Sequence, residues 1–157
     1  GYSKENDFSK YKVARTNTKA LDFLKSKFLN KNIIGFELIK SDLDYYNNAL
    51  HLDCCFQPLG KNNILVCFDI FKNKESMCLI KDIFKSYNII ELDLDQMSKL
   101  NSNIFSISNE VVVSDTSFKE INSKLEKGGL IVETIDYSEI SKMGGLFRCS
   151  TMPLIRI

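Results

Sequence analysis

The sequence predicts an α/β fold made of repeated units, in which a β-hairpin is followed by an α-helix and another β-strand. The first observation is that β-branched and aromatic runs of strand length alternate with segments of helical periodicity along the 157 residues. The second is that this order occurs twice, which favours ββαβ units over a doubly wound parallel sheet. The third is that no linker rich in Gly, Pro or Ser divides the chain, so residues 1–157 are predicted to form one domain.

The first half of the chain contains an opening helix and the first predicted unit. The helix is predicted at 16–28, because Thr16 or Asn17 can cap it and apolar residues then recur at helical spacing. Runs rich in β-branched or aromatic residues predict three strands: 32–39, 49–56 and 64–68. A turn at 58–63 joins the last two strands, and a helix is predicted at 74–87.

The second half repeats this order of elements. Apolar runs predict five strands: 89–92, 103–107, 110–114, 130–135 and 147–157. The second and third of these form a hairpin around Ser108. Ser117 and Glu120 have the spacing of a capping box and predict a helix that ends at Gly128. Short helices are predicted after residue 93 and at 137–142.

The composition is that of a globular protein and excludes several classes of function. Hydrophobic residues make up 44% and charged residues 26%, and the formal net charge is +1. Without a basic or acidic block, neither nucleic acid nor a membrane surface is a predicted partner. Five cysteines without a secretion signal predict reduced thiols and a cytoplasmic location. The cysteines contain no C-x-x-C pair and there is one histidine, so no metal site and no cofactor are predicted.

His51 and Asp53 form the first candidate site. In the predicted strand 49–56 the side chains alternate, which would place His51 and Asp53 on one face and Cys54 on the other. Histidine titrates near neutral pH, so a His–Asp pair on one face suits general acid–base catalysis. The same pattern fits a solvent-facing pair on an edge strand, and the spacing does not decide between these interpretations.

Cys149 is the second candidate, and it follows a pair of glycines near the C-terminus. Gly144 and Gly145 allow a tight turn or a close approach of the backbone to a ligand. A cysteine just beyond such a turn and next to Arg148 is suited to be a thiolate. A buried structural cysteine is the alternative interpretation. One cysteine nucleophile with one distant histidine is a known arrangement in cytosolic enzymes.

Taken together, these motifs resemble the guanidine-modifying superfamily of arginine deiminase, dimethylarginine dimethylaminohydrolase and the amidinotransferases. The similarity lies in His51-Leu52-Asp53 and in the segment from Gly144 to Leu154, whose centre is Arg-Cys-Ser-Thr-Met-Pro. Arg15 followed by Thr-Asn before the first helix resembles a segment of the dimethylarginine hydrolases. The resemblance implies a pentein fold, a ring of five ββαβ modules. Residues 1–157 would then be its C-terminal part, with upstream modules missing.

The resemblance also implies a role for each residue. Cys149 would attack the guanidinium carbon, and His51 would protonate the leaving amine and later deprotonate water. Asp53 would bind the guanidinium, and Arg15 would pair with the substrate α-carboxylate, although an ordinary surface arginine fits Arg15 equally well. The expected function is hydrolysis of arginine or a related guanidino compound through a covalent thiouronium intermediate, with no cofactor.

Two alternatives remain open from the sequence. An amidinotransferase shares the covalent intermediate, and a non-catalytic pentein module would bind a protein instead. The acidic residue with which the family's first modules hold the guanidinium has no counterpart before Arg15. We therefore expect the isolated chain to self-associate and to have an incomplete site.

Overall fold

Two small sheets and the helices that connect their strands form the framework of the protein. The computed structural model describes residues 16–155. Strands are β1 (Phe56–Leu59), β2 (Asn63–Val66), β3 (Asn88–Glu91), β4 (Phe105–Ser106), β5 (Val111–Asp115) and β6 (Ile131–Ile135). Helices are α1 (Thr18–Lys27), α2 (Lys74–Ile83), α3 (Leu94–Ser98), α4 (Lys119–Lys127), α5 (Ser138–Ser141) and α6 (Phe147–Ser150). Two 3₁₀ turns lie at Leu52–Cys54 and Phe68–Ile70.

Each sheet is one ββαβ unit, as the sequence predicts. In the first unit, β1 and β2 form an antiparallel hairpin, α2 follows, and β3 pairs in parallel with β2. In the second unit, β4 and β5 are antiparallel, α4 follows, and β6 is parallel to β5. Within residues 16–155 neither three-stranded sheet closes on itself. The α/β class and the repeated unit are therefore confirmed, whereas a ring of modules is not seen in this part of the chain.

One apolar core joins the two units. β2 is buried along its whole length. Its apolar side chains belong to the core cluster that also contains side chains of α2 and of the second unit, the pattern expected of a strand covered on both faces. The core cluster includes side chains of the first unit, such as Ile64 and Ile80, and side chains of the second, such as Ile121 and Leu125. A smaller cluster of Val113, Leu146 and Phe147 packs beside it and anchors the C-terminal segment.

Asn63 is a polar connection inside this core. Its side chain is fully buried and donates to the carbonyls of Gly60, Lys61 and Gly128, at 3.0, 3.1 and 3.1 Å. Its Oδ1 accepts from the side chain of Asn88 at 2.8 Å. Since Gly128 ends α4 of the second unit, this one amide ties the two units together.

The opening helix is confirmed, and it has Asn17 as its cap. The Asn17 side chain accepts from the Ala20 amide at 3.1 Å, which satisfies one of the free N–H groups of the first turn. None of the α1 side chains is buried. Phe23 and Phe28 are 59% and 52% exposed, so these apolar side chains contact solvent in the part of the chain that the structure describes.

Three predicted strands are wrong in whole or in part. Segment 32–39 contains isolated bridge residues instead of a strand, and one of these bridges joins Leu38 to Phe71. Within 49–56 the chain turns at Leu52–Cys54, because the amides of Cys54 and Cys55 bond back to the carbonyls of His51 and Leu52. Lys40 also donates its ammonium to the carbonyls of Ala49 and Leu50, which occupies acceptors that a sheet would use.

The predicted C-terminal strand 147–157 is a short helix followed by irregular chain up to residue 155. The hydroxyls of Ser150 and Thr151 bond back to the carbonyls of Leu146 and Phe147, at 2.7 and 2.6 Å. These local bonds compete with strand pairing. The capping box at Ser117 is also wrong, because Ser117 bonds to Asp115 and α4 begins after Phe118 without a side-chain cap.

No helix within residues 16–155 has the length and apolar character needed to cross a bilayer.

Candidate functional site

His51 and Asp53 lie on the 3₁₀ turn that precedes β1. His51 has an extended backbone, with φ −128° and ψ 166°, and its side chain is exposed. Asp53 is the second residue of the turn and is half-buried. The two residues before His51, Ala49 and Leu50, accept hydrogen bonds from the Lys40 ammonium through their carbonyls. The position of the turn therefore depends on a residue about ten positions earlier in the chain.

The turn brings three polar side chains together. A ring nitrogen of His51, a carboxylate oxygen of Asp53 and the sulfur of Cys54 all lie within 4.8 Å of one another. The alternation of a strand would have placed Cys54 on the opposite face, and that prediction is wrong because the chain turns here. Such nitrogen, oxygen and sulfur donors are of the type that zinc prefers, so these side chains are the ones that could hold a metal ion.

Asp53 has an unsatisfied oxygen. Its Oδ1 is buried and has no hydrogen-bond partner in the described structure. Buried polar atoms are nearly always paired, because an unpaired one loses its hydration without compensation. This oxygen is therefore available to a donor from a ligand.

Cys54 is buried beside this carboxylate. Burial raises the pKa of the Cys54 thiol, and the negative charges of Asp53 and Cys149 act in the same direction. Cys54 is consequently a neutral thiol at physiological pH.

Cys149 is exposed on helix α6, directly after the glycine pair. Gly144 has φ +85°, in the region that favours glycine. A Cβ on Gly145 would lie 2.8 Å from the Cys149 Cβ and 3.4 Å from its sulfur, so only glycine lets the chain fold this closely over the cysteine. The two glycines therefore shape the loop that presents Cys149.

Asn103 holds this loop, and the sequence analysis missed it. Its Oδ1 accepts from the amides of Leu146 and Cys149, at 3.0 and 3.2 Å. Its Nδ2 donates to the Cys149 sulfur at 3.1 Å, and its carbonyl accepts from the Arg148 amide at 3.3 Å. The available signal was a run of polar residues, Asn101 to Asn103, directly before an apolar strand, and all three are buried.

A groove of about 1060 Å³ runs along the turns of both hairpins. Its wall includes Asp53 and β1 from the first unit, Phe105 to Asn109 from the second, and Arg148. The groove is therefore lined by Asp53, which belongs to the His51–Asp53–Cys54 cluster, and by Arg148, which directly precedes Cys149. Arg148, which the sequence left outside the site, has its side chain in this wall.

Two of the predicted site residues, His51 and Asp53, share one turn. Ser102 donates to the Cys54 carbonyl of this turn at 2.6 Å, and the next residue, Asn103, donates to the Cys149 sulfur at 3.1 Å. Arg15 lies outside the described residues.

Comparisons with known proteins identify the family of this chain. The family model described as N,N dimethylarginine dimethylhydrolase, eukaryotic, matches residues 10–156. The uncharacterized protein YkgA of Bacillus subtilis (strain 168) is 32% identical over 142 residues, which are 90% of this chain and 46% of YkgA. The chain thus spans less than half the length of that relative.

Solved structures share the fold at low sequence identity. The N-terminal domain of ArgZ, an arginine dihydrolase from the ornithine–ammonia cycle in cyanobacteria, has a TM-score of 0.71 and 21% identity, over 86% of this chain and 46% of that one. SxtG, an amidinotransferase from Microseira wollei in the saxitoxin biosynthetic pathway, has a TM-score of 0.70 and 18% identity, over 90% and 42%. The inosamine-phosphate amidinotransferase StrB1 of Streptomyces griseus has a TM-score of 0.63, 18% identity, and coverage of 90% and 41%.

Proposed function

The chain belongs to the N,N dimethylarginine dimethylhydrolase family of guanidine-modifying proteins, and from this membership we propose that it carries the nucleophile and the acid–base residue of a hydrolase for guanidino compounds. The substrate is arginine or a related amino acid with a guanidinium group. The products are a ureido compound and ammonia or an amine.

The observation that carries the proposal is the convergence of groups that are distant in the sequence. His51 and Asp53 lie on one turn, and hydrogen bonds from Ser102 to the Cys54 carbonyl and from Asn103 to the Cys149 sulfur, at 2.6 and 3.1 Å, connect this turn with Cys149. Binding of a protein partner does not require a histidine, a carboxylate and an accessible cysteine in one region. Covalent catalysis by cysteine uses a nucleophile and a general base, and a third group often orients the base.

In the proposed first step, the Cys149 thiolate attacks the guanidinium carbon. His51 donates a proton to the nitrogen that leaves, the C–N bond breaks, and an S-alkylthiouronium remains on Cys149. His51 is suited to this proton transfer because its ring is exposed and an imidazole can both donate and accept a proton.

In the second step, water attacks the same carbon. Neutral His51 accepts one proton from that water, the C–S bond breaks as the Cys149 thiolate leaves, and the remaining hydroxyl proton passes to the released ammonia or amine, or to solvent, which gives the neutral ureido product. The net change is the replacement of one nitrogen by the oxygen of water, so no oxidant or cofactor is needed.

Asp53 is proposed to hold the guanidinium during both steps. Its buried, unpaired Oδ1 can accept a planar N–H of the cation, and a charge-assisted hydrogen bond of this kind is short and directional. The binding also fixes the carbon relative to the sulfur, and such orientation supplies much of the rate in enzymes. Arg15 is proposed, on the resemblance alone, to bind the α-carboxylate.

Selective alkylation tests the nucleophile. A haloacetamidine, which imitates the guanidinium, is expected to label Cys149 before any other cysteine near neutral pH, and peptide mapping would identify the site. Cys78 is the internal control, because it is the other exposed cysteine. Preferential labelling of Cys78 or of a buried cysteine would refute the assignment.

Product analysis distinguishes hydrolysis from transfer. In a longer chain that includes the further modules implied by the resemblance, arginine in water should yield a ureido product, whereas an amidinotransferase would form a new guanidino compound when an acceptor amine is added. If the covalent intermediate reacts with the acceptor amine in preference to water, the protein is an amidinotransferase and the hydrolase proposal is wrong. Absence of both products despite selective Cys149 labelling would favour a non-catalytic module.

A further inference from the structure

Asn103 is the buried side chain that contacts Cys149 most extensively. We propose that Asn103 is a positioning residue, which aims the Cys149 sulfur and stabilises its thiolate through an N–H donor. The inference rests on the proposed role of Cys149 as nucleophile. Asn103 directly precedes the second ββαβ unit. The other residues of the proposed site lie on the His51 turn and in the C-terminal loop that carries Cys149.

The orientation of the Asn103 amide follows from its partners. Two backbone N–H groups, of Leu146 and Cys149, point at one end of the side chain, at 3.0 and 3.2 Å. Only the carbonyl oxygen can accept from them, since an NH₂ group at that end would face two donors. The NH₂ end must therefore be the one that lies 3.1 Å from the Cys149 sulfur.

The surroundings prevent Asn103 from adopting other positions. The side chain is fully buried, its own amide donates to the Leu100 carbonyl at 2.9 Å, and its carbonyl accepts from Arg148. Gly145 also lies against Cys149, at a distance where a Cβ would clash with the Cys149 Cβ. The Cys149 side chain is thus in close contact with both a glycine and an amide donor before any substrate binds.

A donor placed at a sulfur stabilises the anion more than the thiol. Hydrogen bonding to the charged form of an acid favours that form, and bonds to charged groups are stronger than bonds to neutral ones. A fixed donor also needs no reorganisation when the charge forms. The thiolate is the reactive state of a cysteine, so Asn103 acts through Cys149 without contacting the substrate.

Asn103→Asp and Asn103→Ala separate the donor from the structural role. Asn103→Asp keeps an oxygen for the two backbone amides but removes the donor and adds negative charge. Asn103→Ala removes the donor without adding charge. Asn122→Asp is the matched control, because Asn122 is a buried asparagine that donates to the Asp115 carbonyl at 2.9 Å in α4 and touches no site residue.

The readout is the pH dependence of labelling by iodoacetamide, measured as the ratio of Cys149 to Cys78 in each variant. With Asn103→Asp, the midpoint of the Cys149 rate should move upward by about one pH unit or more, with a roughly tenfold lower ratio at neutral pH. With Asn103→Ala the midpoint should move in the same direction by less. Asn122→Asp should leave the midpoint unchanged even if it lowers the melting temperature.

Two results would overturn the proposal. An unchanged midpoint in both Asn103 variants would leave Asn103 as a structural clamp only. A shift in Asn103→Asp without any shift in Asn103→Ala would assign the effect to the introduced charge. Both of these results concern the role of Asn103 and leave the proposed function untouched. The proposed function would be refuted by a different result, in which the unmutated protein shows no preferential labelling of Cys149 over Cys78.

Discussion

A single turn of 3₁₀ helix gives His51 and Asp53 different surroundings, although only Leu52 separates them. His51 is exposed, so its ring can exchange protons with solvent and with a leaving group. Asp53 is half-buried with one oxygen unpaired, so it remains a fixed acceptor for a cation. The two side chains are thereby suited to different tasks, proton transfer and binding.

His51→Ala is expected to abolish turnover and to leave the fold nearly intact. The side chain is exposed and lies outside the core, so its removal should change the free energy of unfolding by about 0.5 kcal/mol or less. Activity and thermal unfolding would be measured on the same preparation. Retention of most activity would exclude His51 from the mechanism, and outright unfolding would support a structural role.

The buried thiols of the first unit predict a loss of stability at alkaline pH. Burial raises the pKa of Cys67 from 9.0 to about 11, and it raises the pKa of Cys55 as well. The unfolded chain therefore loses these protons first, so stability that is fully present below pH 9 declines as pH rises towards 11. Urea unfolding in the presence of a reductant, at several pH values, would measure the decline.

Cys67→Ala should make this decline shallower, although the cavity lowers stability at neutral pH. Cys78→Ala is the control, because Cys78 is exposed and its removal should not alter the slope. An equal slope in all three proteins would mean that the buried thiols do not set the alkaline limit.

The site residues differ in how well the sequence predicts them. His51, Asp53 and Cys149 were predicted because they carry reactive groups within recognisable motifs. Asn103 was missed because its role depends on a loop far along the chain, at Leu146 and Cys149. An asparagine before a strand gives no local sign of such a partner.

At the scale of elements, local signals explain which predictions succeeded. Both hairpins and the helices between their strands follow from turn residues and apolar periodicity, and all are present. Segments 49–56 and 147–157 failed because their conformations depend on Lys40 and Asn103, side chains from other parts of the chain. The alternation of apolar residues cannot show that a backbone carbonyl already accepts a hydrogen bond from a side chain elsewhere in the chain, as the Leu50 carbonyl does from Lys40.

Asn63→Ala is expected to destabilise the connection between the two units. It removes the buried side-chain amide that donates to the carbonyls of Gly60, Lys61 and Gly128 and accepts from Asn88, and this loss predicts a fall of roughly 2–4 kcal/mol in the free energy of unfolding. Asn30→Ala, at an exposed position after α1, should change it by about 0.5 kcal/mol or less. Urea unfolding would compare them, and similar values would show that Asn63 does not stabilise the connection.

For the whole molecule, exposed apolar side chains occur in several places along the described chain. Helix α1 has no buried residue, and Leu29 beyond it is 84% exposed. Ile131 and Ile135 of β6 are about half exposed, and Leu154 is 84% exposed. Strand edges and apolar faces of this kind favour association with other chains or with further modules.

The 157-residue chain, purified alone, is therefore expected to self-associate and to show no measurable turnover of arginine. Asp53 supplies one carboxylate, whereas the planar cation has donors on several sides. Light scattering would measure the association, and Leu24→Lys with Phe28→Lys on α1 should reduce it without lowering the melting temperature, since neither side chain is buried. A longer chain with the further modules that the resemblance implies should be monomeric and active in an ammonia assay. A monodisperse and active 157-residue chain would contradict this prediction and would place the second guanidinium-binding carboxylate among residues 1–157.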